Sequence, residues 1–218
     1  MKISIEGNIG SGKSSILSRL CQEARIPVFM EPVDDWKEWL GLFYSDPSRW
    51  GMAFNTKVLL SFSDWKDINF KSVYERSPIS NRHVFSQLQH ESGCMTKLEL
   101  EMFSKIYYQL AWVPDVIIYL RTEPSVSMSR MNNRGRECEK NVDINYMAAV
   151  HEKYEAMLNG VDYLAKQYTT DIKQQACKRD DSMCKVIMVD GNKSHDDVYQ
   201  DVLAHITQCL QLEFLLHV

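Results

Sequence analysis

The segment Gly7-Asn8-Ile9-Gly10-Ser11-Gly12-Lys13-Ser14 constrains this chain more than any other. It fits G-x-x-x-x-G-K-[ST]. An apolar stretch, KISIE at 2–6, precedes it, and the amphipathic run Ile16, Leu17, Leu20 and Ala24 follows. Strand, glycine-rich turn and helix in that order make a phosphate-binding loop. Glycine lets the backbone curl until successive N–H groups point inward at phosphate oxygens, and the helix start adds its dipole. Lys13 then reaches the outer phosphates and the Ser14 hydroxyl is suited to ligate Mg²⁺, with Ser15 completing the stretch. The chain is expected to bind a nucleoside triphosphate.

Four more short apolar segments follow: PVFME at 27–31, SVYE at 72–75, DVIIYL at 115–120 and KVIMVD at 185–190. Each is too short for a helix and rich in β-branched or aromatic residues, which suits buried strands. Between them lie helical patterns. Leu98, Met102, Phe103, Ile106 and Leu110 form one stripe after a Thr96-x-x-Glu99 capping box. Met147, Val150, His151, Tyr154, Met157, Leu158 and Val161 form another, with Asp143 as its N-cap. Strands alternating with helices predict an α/β fold: a five-stranded parallel sheet flanked by helices in three layers. The polar stretch at 174–182 reads as a surface loop, and the 218 residues as one domain.

Composition narrows the partners. Lys+Arg 25 against Asp+Glu 29 gives a net charge of −4, which argues against a surface that coats nucleic acid. The six cysteines, Cys21, Cys94, Cys138, Cys177, Cys184 and Cys209, are scattered without metal-ligand spacing, so they read as reduced thiols. No apolar run approaches the ~20 residues that span a bilayer, and the N-terminus shows no targeting pattern. A cytoplasmic protein without membrane or nucleic-acid partners is expected.

The second strand leads into Glu31, and the third ends at Glu75-Arg76-Ser77. In an open α/β sheet, ligands sit beyond the carboxyl ends of strands. Two acids and an arginine beside a triphosphate suit a base, a metal ligand and a charge clamp. Arg130 and Arg134 share a helix face, and Arg136 follows a break at Gly135. In a net-acidic chain this cluster reads as a lid over the transferring phosphate, since guanidinium makes bidentate bonds to phosphate.

These motifs, in order, are E-G-N-I-G-S-G-K-S, E-P-V-D-D-W, F-Y-S-D-P-S-R-W-x-M-x-F, Y-E-R-S, I-I-Y-L-R-T-x-P and R-x-x-x-R-x-R. Together they closely resemble the deoxynucleoside kinase family, from Lys2 to about Asn192. The resemblance implies a P-loop kinase fold and transfer of the γ-phosphoryl of ATP to the 5′-hydroxyl of a deoxynucleoside. It implies Glu31 as general base, Glu75 and Ser14 at Mg²⁺, Arg76 beside Glu31, and Arg130, Arg134 and Arg136 as lid arginines. Tyr44 and Glu139 would grip the sugar 3′-hydroxyl, and Asp190, Gly191 and Asn192 would lie near the adenine of ATP. It also implies a homodimer and feedback inhibition by a deoxynucleoside triphosphate.

The base pocket departs from the family pattern. Trp36 and Phe85 match its aromatic walls, Phe54 is a further nucleoside-binding candidate, and Asn55, Val58 and Phe62 share one face of a helix expected over 50–65. Asn55 stands where the family usually has Gln. Phe62 and Asn81 replace the Arg and Asp of the deoxycytidine and deoxyguanosine kinases, which leans toward thymidine-type or broad specificity. Two other readings remain at this level: a nucleoside monophosphate kinase of the thymidylate type, and a non-catalytic nucleotide-binding subunit of the same fold.

Overall fold

The computed structural model describes residues 1–136, 139–140, 142–159 and 184–215, the side chains of 211–215 excepted. Val161, Cys138, Cys177 and the loop expected at 174–182 lie outside the described residues. Five parallel strands form one sheet: β1 (Lys2–Glu6), β2 (Val28–Phe29), β3 (Ser72–Glu75), β4 (Val116–Arg121) and β5 (Lys185–Asp190). Their order across the sheet is β2-β3-β1-β4-β5, which sets β1 and its following loop at the centre. β2 is shorter than the sequence suggests. It pairs with β3 only at Val28 and Phe29, so Glu31 sits two residues past the strand end. β5 is an edge strand, and Val186 and Met188 are exposed rather than buried as expected.

β1 is covered on both faces, which explains its buried but mixed sequence. Ile3 and Ile5 face α1 (Lys13–Glu23) and α8 (His195–Leu215), packing with Ile16, Leu17, Leu20, Val202 and Ile206. On β4, Ile117 and Tyr119 join the cluster on the opposite face, with Ile79, Val84, Val150 and Tyr154. Those come from a helical stretch at 78–91, here α4, and from α7 (Ile144–Asn159). The molecule is therefore the three-layer α/β structure the alternation predicts. Lys2, on the polar side of β1, is buried. Its ammonium lies 4.7 Å from the centre of the Trp112 ring and donates to the Lys66 carbonyl at 2.9 Å.

α3 (Pro47–Ser63) packs against both α2 (Val33–Ser45) and α5 (Lys97–Leu110). α3 starts at Pro47, earlier than expected, with the Asp46 side chain accepting from Arg49 N. The capping box of α5 is present, Glu99 N to Thr96 Oγ1 at 3.2 Å and Thr96 N to Glu99 Oε2 at 2.8 Å. Asp143 caps α7 through Tyr146 N at 2.8 Å. The α5 stripe divides, however. Phe103 and Tyr107 are buried with Leu59, whereas Leu98 is 76% and Met102 51% exposed. α6 (Pro124–Arg134) ends at Gly135, whose φ of 68° stops the helix. Cys21, Cys94 and Cys209 are free thiols among the described residues.

Candidate active site

The loop after β1 owes its shape to its glycines. Gly7, Gly10 and Gly12 have φ of 151°, 75° and 99°, values that L side chains avoid. At Gly10 a Cβ would also lie 2.2 Å from the Ser127 carbonyl oxygen, so α6 closes directly over the loop. Lys13 opens α1 and folds its ammonium back toward the Asn8 carbonyl at 2.7 Å and the Gly7 carbonyl at 3.0 Å. Burial and the nearby Arg76 charge pull its pKa down to about 7. A lysine so poised gains charge when an anion arrives.

Around this loop the acids and Arg76 assemble as their strand positions predict. Ser14 Oγ donates to Glu75 Oε1 at 2.6 Å, and Arg76 Nη1 to Glu31 Oε2 at 2.6 Å. Burial and the Glu31 charge push the Glu75 pKa upward. Arg76 is anchored on three further sides: Nη2 donates to the Gly7 carbonyl at 3.2 Å, Nε to Tyr154 Oη at 3.0 Å, and its backbone N to the Ile5 carbonyl at 3.0 Å. Tyr154 in turn donates to Glu6 Oε2 at 3.2 Å, and Ser77 Oγ to Glu6 Oε1 at 2.7 Å. Burial alone would lower the Arg76 pKa, but Glu31, Tyr154 and Glu75 together hold it well above the ordinary value. Arg76 adopts φ 60°, an uncommon conformation for an arginine, so the backbone itself is bent to aim this side chain.

One cavity of about 580 Å³ joins the loop to the space between α2, α3 and α4. Ile9, Gly10, Ser11, Gly12, Lys13, Ser14 and Ser15 line its phosphate end, with Glu31, Glu75 and Arg76 at the junction. Trp36, Tyr44, Phe54, Asn55, Val58, Phe62, Asn81 and Phe85 line the apolar end. There Trp36 stands edge-on to Phe54 and Phe62, with ring centres 6.4 and 5.9 Å apart, and the Phe85 ring centre lies 5.1 Å from the Arg76 guanidinium carbon. Flat apolar walls with a charged floor suit a planar heterocycle on a sugar.

The arginines of the 130–136 segment line the same cavity, but their charge is partly spent. Arg134 Nη2 donates to both Glu139 oxygens at 2.7 and 2.6 Å, with Arg136 3.5 Å from the same carboxylate. Arg130 reaches away from Glu139, donating to the Gly191 carbonyl at 2.7 Å and the Lys193 carbonyl at 3.2 Å. Asp190, Gly191 and Asn192 do not themselves line the cavity; Lys193, Ser194, His195 and Val198 do. Gly191 is packed so tightly on Thr122 that a Cβ would fall 2.0 Å from Oγ1, and Asn192 Oδ1 accepts from Glu123 N at 2.9 Å. That loop is pinned to β4 and α6 and presents its following residues instead.

Sequence reasoning missed Gln89, Gly51, Glu6 and Tyr154. Glu6 looks like one more strand residue, and Tyr154 like core. Gln89 escaped because the turn Asn81–Ser86 is π-helical. In a regular α-helix, eight residues leave about 80° between Asn81 and Gln89. A π turn absorbs one extra residue, bringing the two within about 20°.

The sequence model of the deoxynucleoside kinase family matches residues 3–211. The chain belongs to the deoxynucleoside kinase family. It is 34% identical over 168 residues to mitochondrial thymidine kinase 2 of Homo sapiens, covering 72% of this chain and 63% of that protein's length. With deoxycytidine kinase 2 of Gallus gallus it shares 32% over 194 residues, 72% of this chain and 73% of the relative. In fold it is similar to a deoxyadenosine kinase from M. mycoides with bound dCTP, at a TM-score of 0.75 and 18% identity, covering 95% of this chain and all of that one. The kinase is thus built on the P-loop fold.

Proposed function

We propose that this kinase transfers the γ-phosphoryl of ATP to the 5′-hydroxyl of a 2′-deoxynucleoside, in cytoplasmic salvage of DNA precursors. The observation that carries this reading is the Glu31–Arg76 pair at 2.6 Å, set between the phosphate loop and the aromatic slot of one cavity. Glu31 takes the 5′-hydroxyl proton as the oxygen forms its bond to Pγ, while the bond from Pγ to the β–γ bridging oxygen breaks and ADP leaves. A loose phosphoryl-transfer transition state asks mainly for alignment and charge, so a carboxylate base suffices. Arg76 holds Glu31 in place and faces the transferring group. Lys13 and Arg130, Arg134 and Arg136 bear on the phosphates.

Ser14 and Glu75 fit a magnesium ion. A hydroxyl and a carboxylate meet at 2.6 Å beside the phosphate loop, and Mg²⁺ favours few hard oxygen ligands supplemented by water and phosphate. When bound, the ion would neutralise charge developing on the leaving phosphate. Among the described residues no cluster of three His, Cys, Asp or Glu suits a metal held by protein alone.

Trp36, Phe54, Phe62, Val58 and Phe85 enclose the base, and Tyr44 and Glu139 bind the sugar 3′-hydroxyl. Phe62 is 1% exposed and packs on Trp36, so no cation stands at that position to fix one base. This supports thymidine, deoxypyrimidine or broad specificity. A deoxynucleoside triphosphate spanning both halves of the cavity would inhibit. The exposed Leu98 and Met102 on α5 support a homodimer through that helix. No helix among the described residues is long and apolar enough to cross a membrane.

The test is phosphorylation of the four deoxynucleosides and of thymidine monophosphate with ATP. Turnover of a deoxynucleoside but not of the monophosphate is expected; the reverse would make it a monophosphate kinase.

A further inference from the structure

We infer that Gln89 and Asn81 read the base edge, and that Asn55 positions them and does not itself read it. This rests on the reaction proposed above.

A backbone carbonyl sets the polarity of these three amides. Asn55 Nδ2 donates to the Gly51 carbonyl at 2.9 Å and to Gln89 Oε1 at 2.7 Å. A carbonyl only accepts, so the amide end of Asn55 that faces it must be the nitrogen. Both of its hydrogens are then spent inside the protein. Asn55 Oδ1 accepts from Asn81 Nδ2 at 3.1 Å. The polarity set at Gly51 therefore passes down the chain. Gln89 must turn its oxygen to Asn55, which leaves its Nε2 as a donor. Asn81 must turn its nitrogen to Asn55, which leaves its Oδ1 as an acceptor.

That acceptor is buried and has no partner. Asn81 is 3% and Gln89 6% exposed, and both line the apolar end of the cavity beside Phe85. A buried amide oxygen without a donor is costly unless a ligand supplies one. One donor and one acceptor of fixed polarity match a base edge that offers an acceptor beside a donor. Gly51 makes room for this: a Cβ there would lie 2.6 Å from Gln89 Oε1. The π turn at Asn81–Ser86 brings Asn81 and Gln89 to one face of α4.

Three variants test this: Gln89→Glu, Gln89→Met and Gly51→Ala. Gln89→Glu keeps an acceptor for Asn55 but offers no N–H to the base. Steady-state kinetics on the best deoxynucleoside should show KM raised roughly 10- to 100-fold, the loss expected for one unmet buried hydrogen bond. The KM for ATP should stay near wild type and the ranking of the four deoxynucleosides should change; burial of a carboxyl lowers the melting temperature, so the split between the two KM values carries the test. Gln89→Met and Gly51→Ala should raise the same KM. If Gln89→Glu matches wild type while Gln89→Met loses only stability, Gln89 is structural and the inference is overturned. A wild-type chain that phosphorylates none of the four removes the underlying reading, and the inference with it.

Discussion

Arg76 and Glu31 form an ion pair at 2.6 Å in which both side chains are about nine-tenths buried, exposed 9% and 11%. In the reaction proposed above, this pair holds the carboxylate oxygen for the arriving 5′-hydroxyl. Glu31→Gln retains a carbonyl oxygen for Arg76 but cannot accept the proton. Its kcat should fall roughly 10²- to 10⁴-fold, with the deoxynucleoside Kd and the melting temperature little changed. Near-normal turnover would remove Glu31 from the role of base.

Lys13 predicts a proton-linked binding event. Its pKa near 7 lies below the ordinary 10.5, so between those values the folded chain binds fewer protons than the unfolded one. This group therefore makes the unliganded protein more stable as pH rises from about 7 toward 10, and that gain is lost as pH falls back to 7. A bound triphosphate favours the ammonium and reverses the shift. Calorimetry at pH 8 in buffers of different ionisation enthalpy should record net proton uptake on ATP binding. Zero uptake would contradict the buried, neutral-leaning lysine.

Gly10 and Gly12 should respond differently to alanine. Gly10→Ala forces a methyl to 2.2 Å from the Ser127 carbonyl oxygen and cannot be absorbed without moving α6. At Gly12 a methyl would meet nothing within 4 Å, so Gly12→Ala carries only the strain of φ 99°, about 1–2 kcal/mol. Thermal unfolding should show the larger loss for Gly10→Ala, and an equal loss would refute the packing difference between the two positions.

Tyr154→Phe removes the acceptor of Arg76 Nε and the donor to Glu6 Oε2. Two buried polar atoms lose partners, at a cost of about 1–3 kcal/mol each where they stay dry. Chemical denaturation should register a drop of that order. kcat should fall too, because the guanidinium loses one of the contacts that aim it at Glu31.

Leu98→Glu combined with Met102→Glu places two charges on the exposed part of α5. Light scattering should give a dimer mass for the wild type and a monomer mass for the variant. A wild-type monomer at micromolar concentration would end the dimer proposal.

The frame of this molecule could be read from residue patterns because its signals are local. Strand, glycine turn and helix stand within the first 25 residues, and the Thr96–Glu99 box occupies four consecutive positions. Glu75 and Arg76 were legible for the same reason, since a strand end fixes its carboxyl-side residues. The Asn55–Gln89 contact was not legible, because it spans 34 positions and depends on a π turn that an α-helical period conceals. The exposure of Leu98 and Met102 was not legible either, because periodicity marks an apolar face without saying what covers it. Asp190, Gly191 and Asn192 were displaced by one step: the loop turns them toward β4 and α6, and the next residues face the cavity.

The strand order β2-β3-β1-β4-β5 divides labour across the central strand. Elements on the β3–β2 side supply Glu31, Trp36, Asn55, Arg76 and Asn81, and those on the β4–β5 side supply Arg130 and the loop it grips. Under the reaction proposed above, the base-facing residues come from the first half, while the second half contributes the lid arginines and Glu139. On that proposal, substitutions in α2, α3 and α4 would retune which base is accepted while the loop after β1 stays as it is, so substrate range is the trait this scaffold is freest to change.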